Sequence, residues 1–178
     1  MSKMTVIEGI KELDKILSSQ KLAYTLYTCG GAQLIFLGYT DRRTEDVDLI
    51  HVKLDVSLVK ASIKVAKKLN LSEDWLNNKA NPLGKRLGKG WKSKTVLLFE
   101  GKSIKLMGLN RQHLINSKLH AAVDRKGEDY QDLLFLKPDF TEVGIAEEYA
   151  LKQKSDMETY SVFVKAWVKE LKNDLGLS

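Results

Sequence analysis

The apolar pattern of this chain changes period once, near residue 108, and that change limits the fold more than any other feature. Residues 110–124, 127–136, 141–152 and 156–175 each carry an apolar stripe at helical spacing. Upstream, the segments 23–28 (A-Y-T-L-Y-T), 46–53 (D-V-D-L-I-H-V-K), 95–100 (T-V-L-L-F-E) and 103–107 (S-I-K-L-M) are rich in β-branched and aromatic residues and read as strands. Gly101-Lys102 between the last two predicts a hairpin. Helices are predicted over 5–17, over 32–37 with Gly38 as its stop, and over 54–69 with Asn70 as its stop. Pro82, Gly84, Gly88 and Gly90 predict an irregular, mobile segment over 72–93. The expected fold class is α/β (α+β): a small mixed β-sheet flanked by helices over 1–108, followed by a C-terminal helical region over 109–178.

A chain of 178 residues with 43% hydrophobic content buries an ordinary core, so disorder is not the expectation. The first helix alternates apolar positions with Glu8, Lys11, Glu12, Asp14 and Lys15, which is an amphipathic helix and not a signal peptide. No apolar run reaches the roughly 18 residues that cross a bilayer. The single cysteine, Cys29, excludes an internal disulfide, and these features together predict a cytoplasmic protein without a membrane partner. The net charge of +6 is concentrated in Lys79, Lys85, Arg86, Lys89, Lys92 and Lys94. Such a run suits phosphate groups of a nucleic acid or a triphosphate, or is a solvated basic loop.

Asp46 and Asp48 carry the most specific chemistry. One apolar residue separates them in a strand-like segment, so both carboxylates face the same side. Two carboxylates at the mouth of a buried strand repel each other and lose hydration, and a divalent cation relieves both penalties. Magnesium uses one or two carboxylates together with substrate phosphates. A bare D-x-D is otherwise two solvated aspartates. The preceding Gly30-Gly31 lets the backbone approach an anion closely, and Arg42 and Thr44 lie in the loop that folds back to the aspartates.

The string G-G-A-Q-L-I-F-L-G-Y-T-D-R-R-T-E-D-V-D-L-I resembles the signature of the DNA-polymerase-beta-like nucleotidyltransferase superfamily. More narrowly, R-x-T-x-D-x-D-L over Arg42, Thr44, Asp46, Asp48 and Leu49 is similar to AbiEii-type toxins and related bacterial nucleotidyltransferase-like proteins. A second run, L-I-N-S-K-L-H-A-A-V-D-R-K-G-E-D-Y-Q-D-L-L, resembles the same group, with Lys118, Arg125, Asp129 and Asp132 at the matching positions. Lys118 shares a face with Leu114, Ile115, Ala121 and Ala122, where a buried ammonium requires an anion. Without the resemblance, snorkelling to solvent explains it equally well.

The resemblance implies a set of roles. Asp46, Asp48, Lys118 and Asp132 are the expected catalytic residues; Gly30, Gly31, Arg42, Thr44, Lys118 and Asp129 the expected nucleotide-binding residues. Asp46, Asp48 and Glu100 are the expected metal ligands, Glu100 standing as the candidate third carboxylate. The implied cofactor is Mg2+, with room for two ions, and the substrate is a nucleoside triphosphate whose NMP passes to a hydroxyl of RNA (tRNA) or protein. A toxin or phage-defence role with an antitoxin partner is open. So is a catalytically degenerate relative that binds nucleotide or nucleic acid without turnover, and so is plain nucleic-acid binding through residues 79–94.

His51, His113 and His120 lack metal-ligand spacing with the cysteine, and Cys29 lacks an evident base, which argues against zinc or thiol chemistry. Trp167 is expected in the core of its helix stripe. Trp75 and Trp91 flank the basic run, where lid packing is expected and stacking on a base is the alternative.

Overall fold

The structure is a computed structural model that describes residues 4–40, 44–125, 127–154 and 158–177. The chain divides into two compact units, Met1–Leu109 and Asn110–Ser178. The fold class is mixed α/β, with a small mixed sheet and a predominance of helix.

The first unit opens with α1 (Met4–Ser19), whose Val6, Ile10, Leu13 and Leu17 form one buried stripe. That stripe packs on α3 (Val56–Leu69) and on β5 (Ile104–Gly108). The start of α3 is fixed by Asp55, whose side chain accepts the Leu58 N–H at 2.9 Å. Asn70 ends the helix in the left-handed conformation at φ 54°. Leu58, Ala61 and Val65 from α3 join Leu26, Val47, Ile104, Leu106 and Trp75 in the core between helices and sheet.

The principal sheet has the order β1-β5-β4. The central strand, β5, runs parallel to β1 (Tyr24–Thr28) and antiparallel to β4 (Val96–Glu100). The turn between β4 and β5 is held from outside by α1: the Asp14 carboxylate accepts the backbone N–H groups of Lys102, Ser103 and Ile104 at 3.1, 2.8 and 2.8 Å. Gly101 is required there, because a side chain would overlap that carboxylate. After β1 the chain enters α2 (Gly30–Phe36). From it the buried Gln33 amide imitates a strand neighbour, accepting the Leu109 N–H at 3.0 Å and donating to the Leu109 carbonyl at 2.6 Å.

Two expectations are corrected. The strand expected over 46–53 is regular only over β2 (Val47–Asp48). Beyond it Leu49 bridges to Thr28, the Ile50 N–H donates to the Tyr27 carbonyl at 2.7 Å, and His51 turns the chain at φ 53°. The segment 72–93 is irregular only in part. It contains β3 (Leu76–Asn77), which pairs in parallel with β2, then α4 (Asn81–Arg86) and a 3-10 turn (Trp91–Lys94). Long-range anchors override the local glycine and proline signals. The Asn81 amide exchanges hydrogen bonds with the Val52 N–H (3.1 Å) and carbonyl (3.4 Å). Trp75 is fully buried with its indole N–H on the Ser62 carbonyl at 3.1 Å. Trp91 is buried edge-on against Tyr27. Neither tryptophan is a base-stacking platform.

The second unit comprises α5 (Arg111–Arg125), α6 (Glu128–Leu136), α7 (Phe140–Gln153) and α8 (Glu158–Asp174). α5 packs against the other three, and α7 against α8. Leu114, Leu119, Leu133, Val143, Ala146, Val164 and Leu171 are buried among them. Asp139 and Glu142 form a reciprocal capping box at the start of α7. Trp167, expected in the core, is half-buried and tilted against Tyr130 with ring centroids 4.9 Å apart, while its stripe neighbours Val164, Val168 and Leu171 lie in the core.

Candidate functional site

In the first unit the glycine turn and the aspartates meet. β1 ends at Thr28, and its hydroxyl donates to the Asp48 carbonyl at 2.9 Å while the Cys29 N–H reaches the same carbonyl at 3.3 Å. These contacts lay β2 antiparallel across the end of β1. Gly30 adopts φ +72°, a region that disfavours residues bearing a Cβ, and an added Cβ would stand 3.8 Å from Asp48 Oδ2. The turn therefore puts backbone bare of side chains within van der Waals reach of the Asp48 carboxylate. Gly31 follows in the first turn of α2.

Asp46 and Asp48 are both half-buried, whereas Val47 between them and Leu49 beyond are fully buried. The alternation read from the sequence thus separates a polar face from a core face. The Thr44 hydroxyl donates to Asp46 Oδ1 at 3.5 Å, at the limit of a hydrogen bond. Arg42 lies outside the described residues. Two hard carboxylates on one strand face, partly open to solvent and beside uncovered backbone, suit the donor preference of magnesium. Among the described residues no group of three or more His, Cys, Asp or Glu side chains is placed to hold a metal.

Glu100 is the residue that does not join them. It pairs with Lys105, which pairs with Thr25, whereas the glycine turn follows Thr28, opposite Gly108. Three residues of β5 separate these positions, about 10 Å along the strand. The Glu100 side chain is largely exposed and lies 3.5 Å from the Lys105 ammonium. The hairpin register, which the sequence pattern does not specify, puts it at the far end of the sheet.

Sequence reasoning missed Asn77 beside the aspartates and named Lys79 only as a member of the basic run. Asn77 on β3 is in register with Asp48, so an amide occupies the adjoining strand where a third carboxylate was sought. Two residues on, Lys79 donates to Asp74 at 2.8 Å. Its ammonium is held above the ordinary lysine range by Asp74 first, with further contributions from the charges of Asp46 and Asp48. No local motif announces this placement; it follows from the β2–β3 pairing.

The second unit holds the other predicted residues in a cluster of its own. Lys118 on α5 is buried and donates to Asp129 at 2.8 Å and lies 2.6 Å from Asp132, both on α6. Arg125 closes on the other oxygen of Asp129 at 2.7 Å. The anion that a buried Lys118 requires is thus supplied by this chain. Beside it on α5, His120 Nδ1 shares a 2.6 Å hydrogen bond with the Tyr160 hydroxyl, and Lys154 donates to Asp124 at 2.7 Å.

The chain belongs to the family described as nucleotidyltransferase of unknown function (DUF6036), whose model matches residues 4–171. No curated protein and no solved structure matches it. No helix among the described residues is long and apolar enough to cross a membrane.

Proposed function

We propose that the chain is a magnesium-dependent nucleotidyltransferase that moves NMP from a nucleoside triphosphate to a hydroxyl of a macromolecule. The observation that carries this reading is the approach of Gly30 to Asp48, which sets the turn beside the carboxylate pair. Asp46 and Asp48 would hold magnesium, which when bound neutralises phosphate charge and lowers the pKa of an attacking hydroxyl. The half-buried backbone at Gly30-Gly31 would lie along the phosphates, with the Thr44 hydroxyl 3.5 Å from Asp46. The acceptor hydroxyl attacks the α-phosphorus, its proton leaves to a base or solvent, and pyrophosphate departs.

One observation favours a second reading. Asn77 stands in register with Asp48, and no third carboxylate converges among the described residues, which suits a protein that binds nucleotide without turning it over. The narrower expectation, an AbiEii-like toxin or defence enzyme with an antitoxin partner, rests on R-x-T-x-D-x-D-L and belongs to the same proposal.

Transfer of α-labelled nucleotides, each in turn, into total RNA and into lysate protein tests these readings. The expected result is label in one acceptor class with magnesium, absent with Asp46→Asn and with Asp48→Asn. Nucleotide binding with no label moved would select the second reading.

A further inference from the structure

We propose that Lys79 is a phosphate-binding residue of the nucleotide site, parked on Asp74 in the free protein and handed to the triphosphate when nucleotide binds. This deepens the reading of the aspartate pair and rests on it. The placement is set by backbone contacts. The Leu49 N–H donates to the Asn77 carbonyl at 2.8 Å, which fixes the end of β3 beside the aspartate strand. The buried Asn77 side chain then accepts the Lys79 N–H at 2.9 Å, so the chain turns immediately after β3 and does not carry residue 79 away. Of the basic run, Lys85 and Arg86 lie at the end of α4, and Lys92 and Lys94 in the 3-10 turn. Lys79 is the member that follows directly on the strand paired with β2.

Its present partner suits a temporary role. The Lys79–Asp74 pair has side-chain exposures of 66% and 63%, and exposed ion pairs contribute little net stability because water competes for both charges. Asp74 also accepts the Ser72 hydroxyl, so it keeps a partner when the lysine leaves. A lysine is a point charge on a flexible stem, able to swing from a carboxylate to a phosphate oxygen without moving backbone. Asp74 first, and after it the charges of Asp46 and Asp48, hold this ammonium above its ordinary range.

The test is equilibrium binding of ATP with magnesium, and of adenosine, to the wild type, Lys79→Met, Lys79→Arg, Asp74→Asn and Asp48→Asn. If ATP is not the preferred nucleotide, the same series is run with the triphosphate that binds most tightly and its nucleoside. Loss of one charge-assisted hydrogen bond should weaken the triphosphate about tenfold or more in Lys79→Met, with most of the affinity kept in Lys79→Arg and no change for the nucleoside. Asp74→Asn should bind the triphosphate at least as tightly as the wild type. Equal losses in Lys79→Met and Asp74→Asn would mean that the pair serves the turn, and would overturn the inference. Unchanged affinity in Lys79→Met alongside a loss in Asp48→Asn would overturn it while leaving the aspartate reading intact. No triphosphate binding by the wild type would overturn both.

Discussion

The two units use aspartates in opposite ways. In the second, Asp132 is fully buried and stands 2.6 Å from Lys118, while Asp129 is shared between Lys118 and Arg125. In the first, Asp46 and Asp48 remain half-exposed on a strand end, with the uncovered backbone of Gly30 beside them. Burial makes the first-named carboxylates depend on their cation, because a charge without a partner in the interior is costly. The second pair keeps part of its surface in water, where a carboxylate retains hydration. The same residue type is buried against cations in one place and half-exposed at a strand end in the other.

The largest expected effect comes from breaking the closed cluster. Lys118→Met should destabilise the protein by about 3–5 kcal/mol, since it strands Asp132 in the interior. The denaturant midpoint measures this, and a second change, Asp132→Leu, should restore much of the loss. Asp46→Asn should shift the same midpoint by less than about 0.5 kcal/mol. Equal losses at the two places would erase the contrast.

The glycines sharpen the same comparison. Gly101→Ala should cost about 1–3 kcal/mol, because the new methyl group overlaps the Asp14 carboxylate that holds three backbone N–H groups. Gly30→Ala meets Asp48 only at ordinary contact distance, so its cost is the backbone strain of a positive φ, about 1–2 kcal/mol. Thermal unfolding separates the two, and Gly30→Ala should in addition weaken nucleotide binding while Gly101→Ala leaves it intact in the folded fraction.

A smaller effect belongs to Asp55, the N-cap of α3, where Asp55→Ala should cost about 1 kcal/mol at neutral pH. The Leu58 N–H first, and the Tyr24 hydroxyl after it, hold this carboxyl below its ordinary value. Its contribution is therefore fully present above about pH 4, the unfolded-state range, and is lost as the pH falls through the lower folded value. The difference between wild type and Asp55→Ala in urea midpoints should shrink over that window. A difference that stays constant to lower pH would contradict the assignment.

Much of the fold was legible because its signals are local. The stripe Val6, Ile10, Leu13 and Leu17, the stop at Asn70 and the hairpin around Gly101-Lys102 each show in a few consecutive residues. The segment 72–93 was not, because Trp75, Asn81 and Trp91 take their partners from Ser62, Val52 and Tyr27, which no local pattern names. The site divides in the same way. Gly30 and the face shared by Asp46 and Asp48 follow from turn chemistry and strand period. Glu100, Asn77 and Lys79 depend on strand register, and Glu100 was misplaced for that reason. The burial of Lys118 was legible from its helix face, but the source of its anion depended on how α5 meets α6.

The most direct measurement of the central claim substitutes Mn2+ for magnesium in the presence of a nucleoside triphosphate and follows paramagnetic broadening of backbone amide signals by NMR. Broadening centred on Gly30, Asp46 and Asp48, and abolished in the Asp46→Asn/Asp48→Asn double variant, is the predicted result. Broadening centred elsewhere in the chain, or unchanged in the double variant, would contradict the metal site and the transferase reading built on it.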